Sequence, residues 1–236
     1  MNILYINDFA PSFPGSFFES LDALSSRLKK DNHNLYYIFP LEREYIKRLD
    51  ELGVVYYCPT FMGKKFDINL FKLTYRVCKK ENIDIIHTNF GFGGFFAATI
   101  LSGILKIKHI AHERSLSSNL DSGYNIRIKR FRAKVLFGVL NFLGDTSYIA
   151  ISNEIKENLI NQIEIDKNKI IIIPNAVISN RQNGEKKNLE YSTVKKIALT
   201  KKIIGMVAHF GPHKDHKILV DVAAMVIKKP RMSYFY

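Results

Sequence analysis

The chain has 236 residues, 47% hydrophobic and 24% charged, an ordinary globular composition whose length suits one large domain or one and a half ordinary ones. Its formal charge of +13 suits an anionic partner such as a nucleotide diphosphate or an anionic membrane surface, and reads equally as a lysine-rich solvated surface. No apolar run reaches the roughly 18 residues of a spanning helix, and MNILYINDF lacks the basic-then-apolar order of a secretory leader; a cytoplasmic protein is expected.

Strand-like and helix-like runs alternate from the first residue. Ile3–Ile6 reads as a strand, being a short β-branched and aromatic run bounded by turn residues. A helix follows, with Phe17, Leu21, Leu24 and Leu28 in one apolar stripe. Ser16 and Glu19 form a capping box that opens it, each side chain satisfying an orphan backbone donor. Leu35–Phe39 is the second strand. Glu42–Leu52 is a helix stopped by Gly53 as its C′ glycine. Val54–Cys58 is a strand, Ile68–Lys80 a helix, and Asp84–His87 a strand. Phe95–Leu105 is a helix, His109–His112 a strand, and 126–143 a helix. Tyr148–Ile151, Glu154–Gln162 and Ile170–Ile173 complete a last strand–helix–strand unit. This repetition predicts an α/β fold, a doubly wound parallel sheet with right-handed crossovers. Cys58 and Cys78 fit neither a CxxC nor a metal spacing and read as buried thiols in a reducing compartment.

The pattern changes after Val177. Residues 179–200 are polar and rich in turn formers, and read as a linker between a first domain, 1–178, and an incomplete second one, 201–236. The second holds a strand at 203–208, a loop, and a helix from Lys217 to Ile227. About 36 residues are too few for an independent core.

Polar residues gather at the predicted strand ends. Asn7 and Asp8 follow the first strand, and His87, Thr88 and Asn89 the fourth. His112, Glu113 and Arg114 follow the fifth, Ser152 and Asn153 the sixth, and Asn175 the seventh. In a parallel sheet these ends share one edge, so they predict a binding cleft there. Taken alone, Ser152 and Asn153 read equally as a turn or a helix cap. The loop ending at Gly15 and Ser16 could hold a phosphate or a sugar hydroxyl at the following helix start. Neither it nor the Gly91–Gly94 turn has the spacing of a dinucleotide fingerprint. The latter reads as a turn that lets a helix begin close to the sheet. His209, His213 and His216 are spaced for a metal, but no cysteine or carboxylate cluster supports one beyond Asp215, so no metal is expected. The segment 127–134 carries Arg127, Lys129, Arg130, Arg132 and Lys134. It reads as a basic solvent face or as a peripheral contact with an anionic membrane. No nucleic-acid-binding motif is present.

Several of these segments resemble glycosyltransferase family 4, the retaining enzymes of GT-B fold. They are PSFPGSFFESLDALSSRLKKDNHNLYYIFP, IDIIHTNFGFGGFFAA, IAHERS, and IAISNEIKENLI with NKIIIIPNAV. IIGMVAHFGPHKDHKILVDVAA resembles the start of the family's second domain. The resemblance implies two Rossmann-like halves, the first binding the acceptor and the second a nucleotide-sugar donor. It implies transfer with retention, no cofactor and no metal. It places Gly15 and Ser16 near the donor, His112 against the transferred sugar, and Lys214 on the leaving diphosphate. His209 stands where the family has arginine, and histidine is only partly charged at pH 7. The family's paired glutamates, E-x7-E, have no counterpart before Tyr236, so the chain is expected to be an acceptor domain with a stub of the donor domain. The implied acceptor is a glycan or a lipid-linked sugar, and the implied setting bacterial surface polysaccharide or glycolipid assembly. The rival reading is a non-catalytic acceptor- or partner-binding half that needs a separate donor domain. A sugar-nucleotide epimerase or reductase is disfavoured by the missing glycine fingerprint and the lack of a Tyr-x-x-x-Lys pair on a plausible helix.

Overall fold

The computed structural model describes residues 1–8, 10, 15–59, 67–89, 92–114, 137–139, 142–176, 204–208 and 214–228. The chain divides into two compact units, Met1–Arg181 and Gln182–Tyr236.

The first unit is a seven-stranded sheet in which every pairing is parallel. In chain order its elements are β1 (Asn2–Asn7), α1 (Gly15–Lys30), β2 (Asn34–Ile38), α2 (Arg48–Glu51), β3 (Val55–Tyr57) and α3 (Ile68–Lys80). They continue with β4 (Ile85–Asn89), α4 (Phe92–Leu105), β5 (Lys108–Glu113), β6 (Thr146–Ala150), α5 (Asn153–Ile163) and β7 (Ile170–Ile172). The spatial order is β3-β2-β1-β4-β5-β6-β7. The chain winds outward from β1 to β3, crosses back to β4, and winds out the other way. The doubly wound expectation therefore holds, and its switch point lies between β1 and β4.

Alternation along β1 sets the two faces. Ile3 and Tyr5 share a core with Phe18 and Leu21 of α1 and Leu49 of α2. Leu4 and Ile6 face Leu70 and Val77 of α3 and Ala98 and Leu101 of α4. Beyond β5 a third cluster joins Phe95 of α4 to Tyr148 and Ala150 of β6 and to Ile155 and Leu159 of α5. The inner strands are covered on both sides, which is why they read as continuous apolar runs.

Two expected helices differ in detail. In α1 the buried residues are Phe18, Leu21 and Ser25, whereas Leu24 is 37% exposed. Ser25 takes the core position because its hydroxyl lies 2.7 Å from Leu21 O and 2.7 Å from the Tyr37 hydroxyl, partnering a buried phenol. Ser16 sits inside the first turn of α1, so the helix opens earlier than the capping box places it. The helix expected over Glu42–Leu52 is a 3₁₀ turn, Glu44–Lys47, running into α2. Ile46 and Leu49, three apart and both buried, suit that tighter winding. Gly53, at φ +64°, takes the left-handed conformation after α2 expected of a C′ glycine.

In the second unit, residues 204–208 have no strand pairing among the described residues, against the strand expected there. The helix α6 (His216–Lys228) is present. Asp215 Oδ1 accepts from the Ile218 N–H at 3.3 Å and so caps α6. Residues 137–139 and 142–143 are helical. The rest of the helix expected over 126–143, the basic segment 127–134 included, lies outside the described residues. Among the described residues no helix is long and apolar enough to cross a membrane.

Candidate functional site

The C-terminal ends of β1, β4 and β5 bring the polar residues together. Parallel register sets Asn7 opposite Asn89, and Asn89 opposite His112. These residues therefore form a row across neighbouring strands on one face of the sheet, with Tyr5 and His87 one step below on that face. That face is the one α1 covers. Asn89 Nδ2 donates to Asn7 Oδ1 at 3.2 Å, across the switch point itself.

Arg114 extends the row. Its Nε donates to Asn89 Oδ1 at 3.4 Å and its Nη1 to Asn175 Oδ1 at 2.9 Å. Its guanidinium also lies over the Phe17 ring, 5.2 Å from the centroid. Phe17 belongs to the first turn of α1, the turn that also holds Gly15 and Ser16. Gly15 has φ +44°, a backbone that L side chains rarely adopt. A polar chain thus runs from β1 through β4 and β5 to the segment that follows β7, bypassing β6.

Beneath it, aromatic rings line up across the strands. Tyr37 and Tyr5 are 5.0 Å apart, Tyr5 and His87 4.7 Å, and His87 and His112 5.6 Å. Burial pushes His87 down to about 3, with help from the neighbouring His112, His109 and Arg114. Burial, then the Arg114 charge, pushes His112 down to about 4. Both imidazoles are neutral at pH 7. The Nε2 atoms of both, and Asn7 Nδ2, are buried without a hydrogen-bond partner among the described residues.

Asp8 faces the opposite side, where α4 begins. Its Oδ2 accepts from the Gly94 N–H at 3.1 Å. Burial raises it to about 6 against the opposing effect of backbone bonds from Gly94 and Gly93, and its Oδ1 is buried without a partner among the described residues. A Cβ on Gly94 would lie 2.7 Å from Ile6 Cγ2 and 2.9 Å from Asp8 Oδ1. The glycine turn therefore lets α4 start directly against β1. Glu113 alternates away from His112 along β5, and burial raises its carboxyl to about 7.

The other expected site residues follow β6 or belong to the second unit. Ser152 is the N-cap of α5, its Oγ accepting from the Ile155 N–H at 3.3 Å, and Asn153 is the first residue of that helix. The cap reading of this pair therefore has a direct structural basis. Lys214 belongs to the second unit, and His209 lies outside the described residues.

Sequence reading assigned Phe17 to the apolar stripe of its helix and not to the site, and did not single out the surroundings of His109. His109 is 1% exposed, with Thr88 Oγ1 3.0 Å from Nε2, and Thr99 Oγ1 3.2 Å and Thr146 Oγ1 3.0 Å from Nδ1. It joins β4, α4 and β6 immediately behind His87 and Asn89. Only threonines spread over distant elements reveal it, and no local motif marks such a set.

The model of glycosyltransferase family 4 matches residues 19–181. The chain belongs to glycosyltransferase family 4. A relative in Escherichia coli, UDP-Gal:alpha-D-GlcNAc-diphosphoundecaprenol alpha-1,3-galactosyltransferase, is 27% identical over 170 residues, covering 65% of this chain and 39% of that protein. A glycosyltransferase from Rickettsia africae has a similar structure, with TM-score 0.60 and 20% identity over 97% of this chain and 58% of that one. Anabaena HepE, crystallised with UDP and glucose, has TM-score 0.66 and 16% identity over 95% of this chain and 58% of that one. These structures establish the GT-B, Rossmann-like fold. This family 4 chain thus spans less than two thirds of each of these relatives. The family match covers β2 to β7 and so includes His87, Asn89, His112 and Arg114.

Proposed function

We propose that this chain is the acceptor-side portion of a retaining glycosyltransferase, which moves a sugar from a nucleotide-sugar to a glycan or lipid-linked acceptor in bacterial surface polysaccharide or glycolipid assembly. The observation that carries the reading is the polar row at the β1/β4 switch point, lying in a chain whose residues 19–181 match family 4. Open parallel sheets bind ligands at such points. The named donor and acceptor of the Escherichia coli relative, and the UDP and glucose of the Anabaena structure, support the substrate class.

In this reading residues 1–178 bind the acceptor, 179–200 link, and 201–236 begin the donor side. His112 contacts the transferred sugar, and Gly15 and Ser16 lie near the donor. Lys214 and His209 stabilise the charge that develops on the leaving diphosphate, where fixed positive groups act most strongly. Asn89, Arg114 and Asn175 hold the edge in shape. The reaction uses neither metal nor cofactor. The enzyme is cytoplasmic, and the segment 127–134 supplies a contact with the inner face of an anionic membrane.

The test is transfer by the full chain from UDP-galactose or UDP-glucose to a synthetic GlcNAc-diphospho-lipid, with and without EDTA. An α-linked product from an α-linked donor, formed equally with EDTA, is expected. A folded chain that binds UDP but makes no product would overturn catalysis by this chain. The second reading, a non-catalytic acceptor-binding half with a separate donor domain, would then stand. One observation favours it: Ile204, Val207, Val220, Met225 and Val226 of the second unit are 62% exposed or more, apolar surface of the kind that marks a missing partner.

A further inference from the structure

Three polar atoms on the α1-facing side of the sheet edge have no partner among the described residues: Asn7 Nδ2, His87 Nε2 and His112 Nε2. Asn7 is fully buried and His87 is 9% exposed. Folded proteins rarely leave such groups unpaired, and an unpaired one demands an explanation. These lie together: Asn7 and His112 flank Asn89 in the row, and His87 stacks against His112.

Their chemistry narrows what would pair with them. Asn7 Nδ2 can only donate, while a neutral imidazole Nε2 donates or accepts according to its tautomer. A hydroxyl group matches both, since it donates one bond and accepts others. A phosphate matches poorly, because it needs several donors and positive charge. The positive charge on Arg114 is directed to Asn89 and Asn175.

We propose that Asn7 and His87, together with His112, form a seat for the ring hydroxyls of an uncharged sugar, in which His87 and Asn7 determine which hydroxyl pattern is accepted. This inference rests on the glycosyltransferase reading and assigns part of that site to the neutral portion of a substrate. The roughly 4.8 Å spacing of strands makes β1 to β5 about 10 Å, a span that one sugar ring can bridge with its hydroxyls. His87 lies deeper than His112 in the ring stack, so only a group inserted past His112 reaches it.

The test uses the full chain with ¹⁵N-labelled histidine, following the Nε2 resonances of His87 and His112 by NMR. The probes are methyl α-glucoside, methyl α-galactoside and inorganic diphosphate. Saturable movement of both resonances by at least one glycoside, and none by diphosphate, is expected. His87→Phe keeps a ring between Tyr5 and His112 but removes the nitrogen. It should weaken glycoside binding about tenfold or more, a factor that corresponds to ~1.4 kcal/mol, and His87→Gln should restore part of the loss. No movement with any glycoside would overturn the proposal, leaving these atoms to buried water. Movement by diphosphate, or undiminished binding by His87→Phe, would also overturn it. Should His87→Phe not fold, the wild-type titration alone decides. Transfer activity is measured separately. A chain that seats glycosides but transfers nothing would sink the transferase reading and keep the seat. Transfer without any glycoside effect on the two nitrogens would do the reverse.

Discussion

His87 and His112 stack at 5.6 Å although they are not opposite one another in the sheet. The register partner of His112 is Asn89, and that of His87 is Ile110. The rings meet diagonally because both point to the α1 face, two residues apart in level, within the reach of aromatic side chains on adjacent strands. Each imidazole is thereby desolvated by the other and by the core beneath.

Acid should act on these histidines with a definite sign. Their folded values, about 3 and 4, lie below the ordinary 6.5. The unfolded chain therefore binds more protons between those limits. Each contributes stability that is fully present above about pH 6.5 and is lost as pH falls toward the folded value, by at most ~1.4 kcal/mol per pH unit. Asp8 and Glu113, raised to about 6 and about 7, have the opposite sign, their protonated forms favouring the fold as pH falls. The clean measurement is a difference. The stability of His112→Gln relative to wild type, from urea unfolding, should rise as pH drops from 6.5 to 4. A difference independent of pH would show that His112 titrates normally.

Arg114 should behave as a structural fork. Its bonds to Asn89 and Asn175 and its position over Phe17 join α1, β4 and the end of β7. Arg114→Met is expected to cost roughly 1–3 kcal/mol, the range for charge-assisted hydrogen bonds and a partly exposed cation–π contact. Arg114→Lys should recover little of it, because a point charge cannot bond two amides while lying over a ring. Chemical denaturation of the variants checks both statements. Full recovery by lysine would reduce the residue to a charge.

A methyl group at Gly94 has nowhere to go, between Ile6 Cγ2 at 2.7 Å and Asp8 Oδ1 at 2.9 Å. Gly94→Ala should lower stability by about 1–3 kcal/mol, as overpacking does. Gly138→Ala is the control. It meets nothing within 4 Å in a helical segment and should be neutral or slightly stabilising. Thermal unfolding separates the two. Equal effects would show that the closeness of α4 to β1 is relieved at little cost.

Ser152→Ala should remove a cap and nothing else. The lost bond to the Ile155 N–H is worth ~1 kcal/mol, while glycoside and UDP affinity should stay unchanged. A tenfold fall in either affinity would return Ser152 to the binding site.

Much of the fold was legible because its signals are local. Each of the seven strands of the first unit is a short β-branched or aromatic run bounded by turn residues, and alternation with helices implies parallel winding. The edge at which His87, Asn89, His112, Arg114 and Asn175 gather followed from the same pattern, since parallel strands end together. What required the tertiary structure was every choice made by distant partners. Whether Leu24 or Ser25 of α1 is buried depends on the Tyr37 hydroxyl. Whether Ser152 caps a helix or faces the cleft depends on where α5 begins. That Arg114 reaches Asn175 past β6, and that His87 meets His112 diagonally, depends on register and strand order. Periodicity along one chain determines which residues face the same way. Only packing determines which of them meet, because those contacts join residues tens of positions apart.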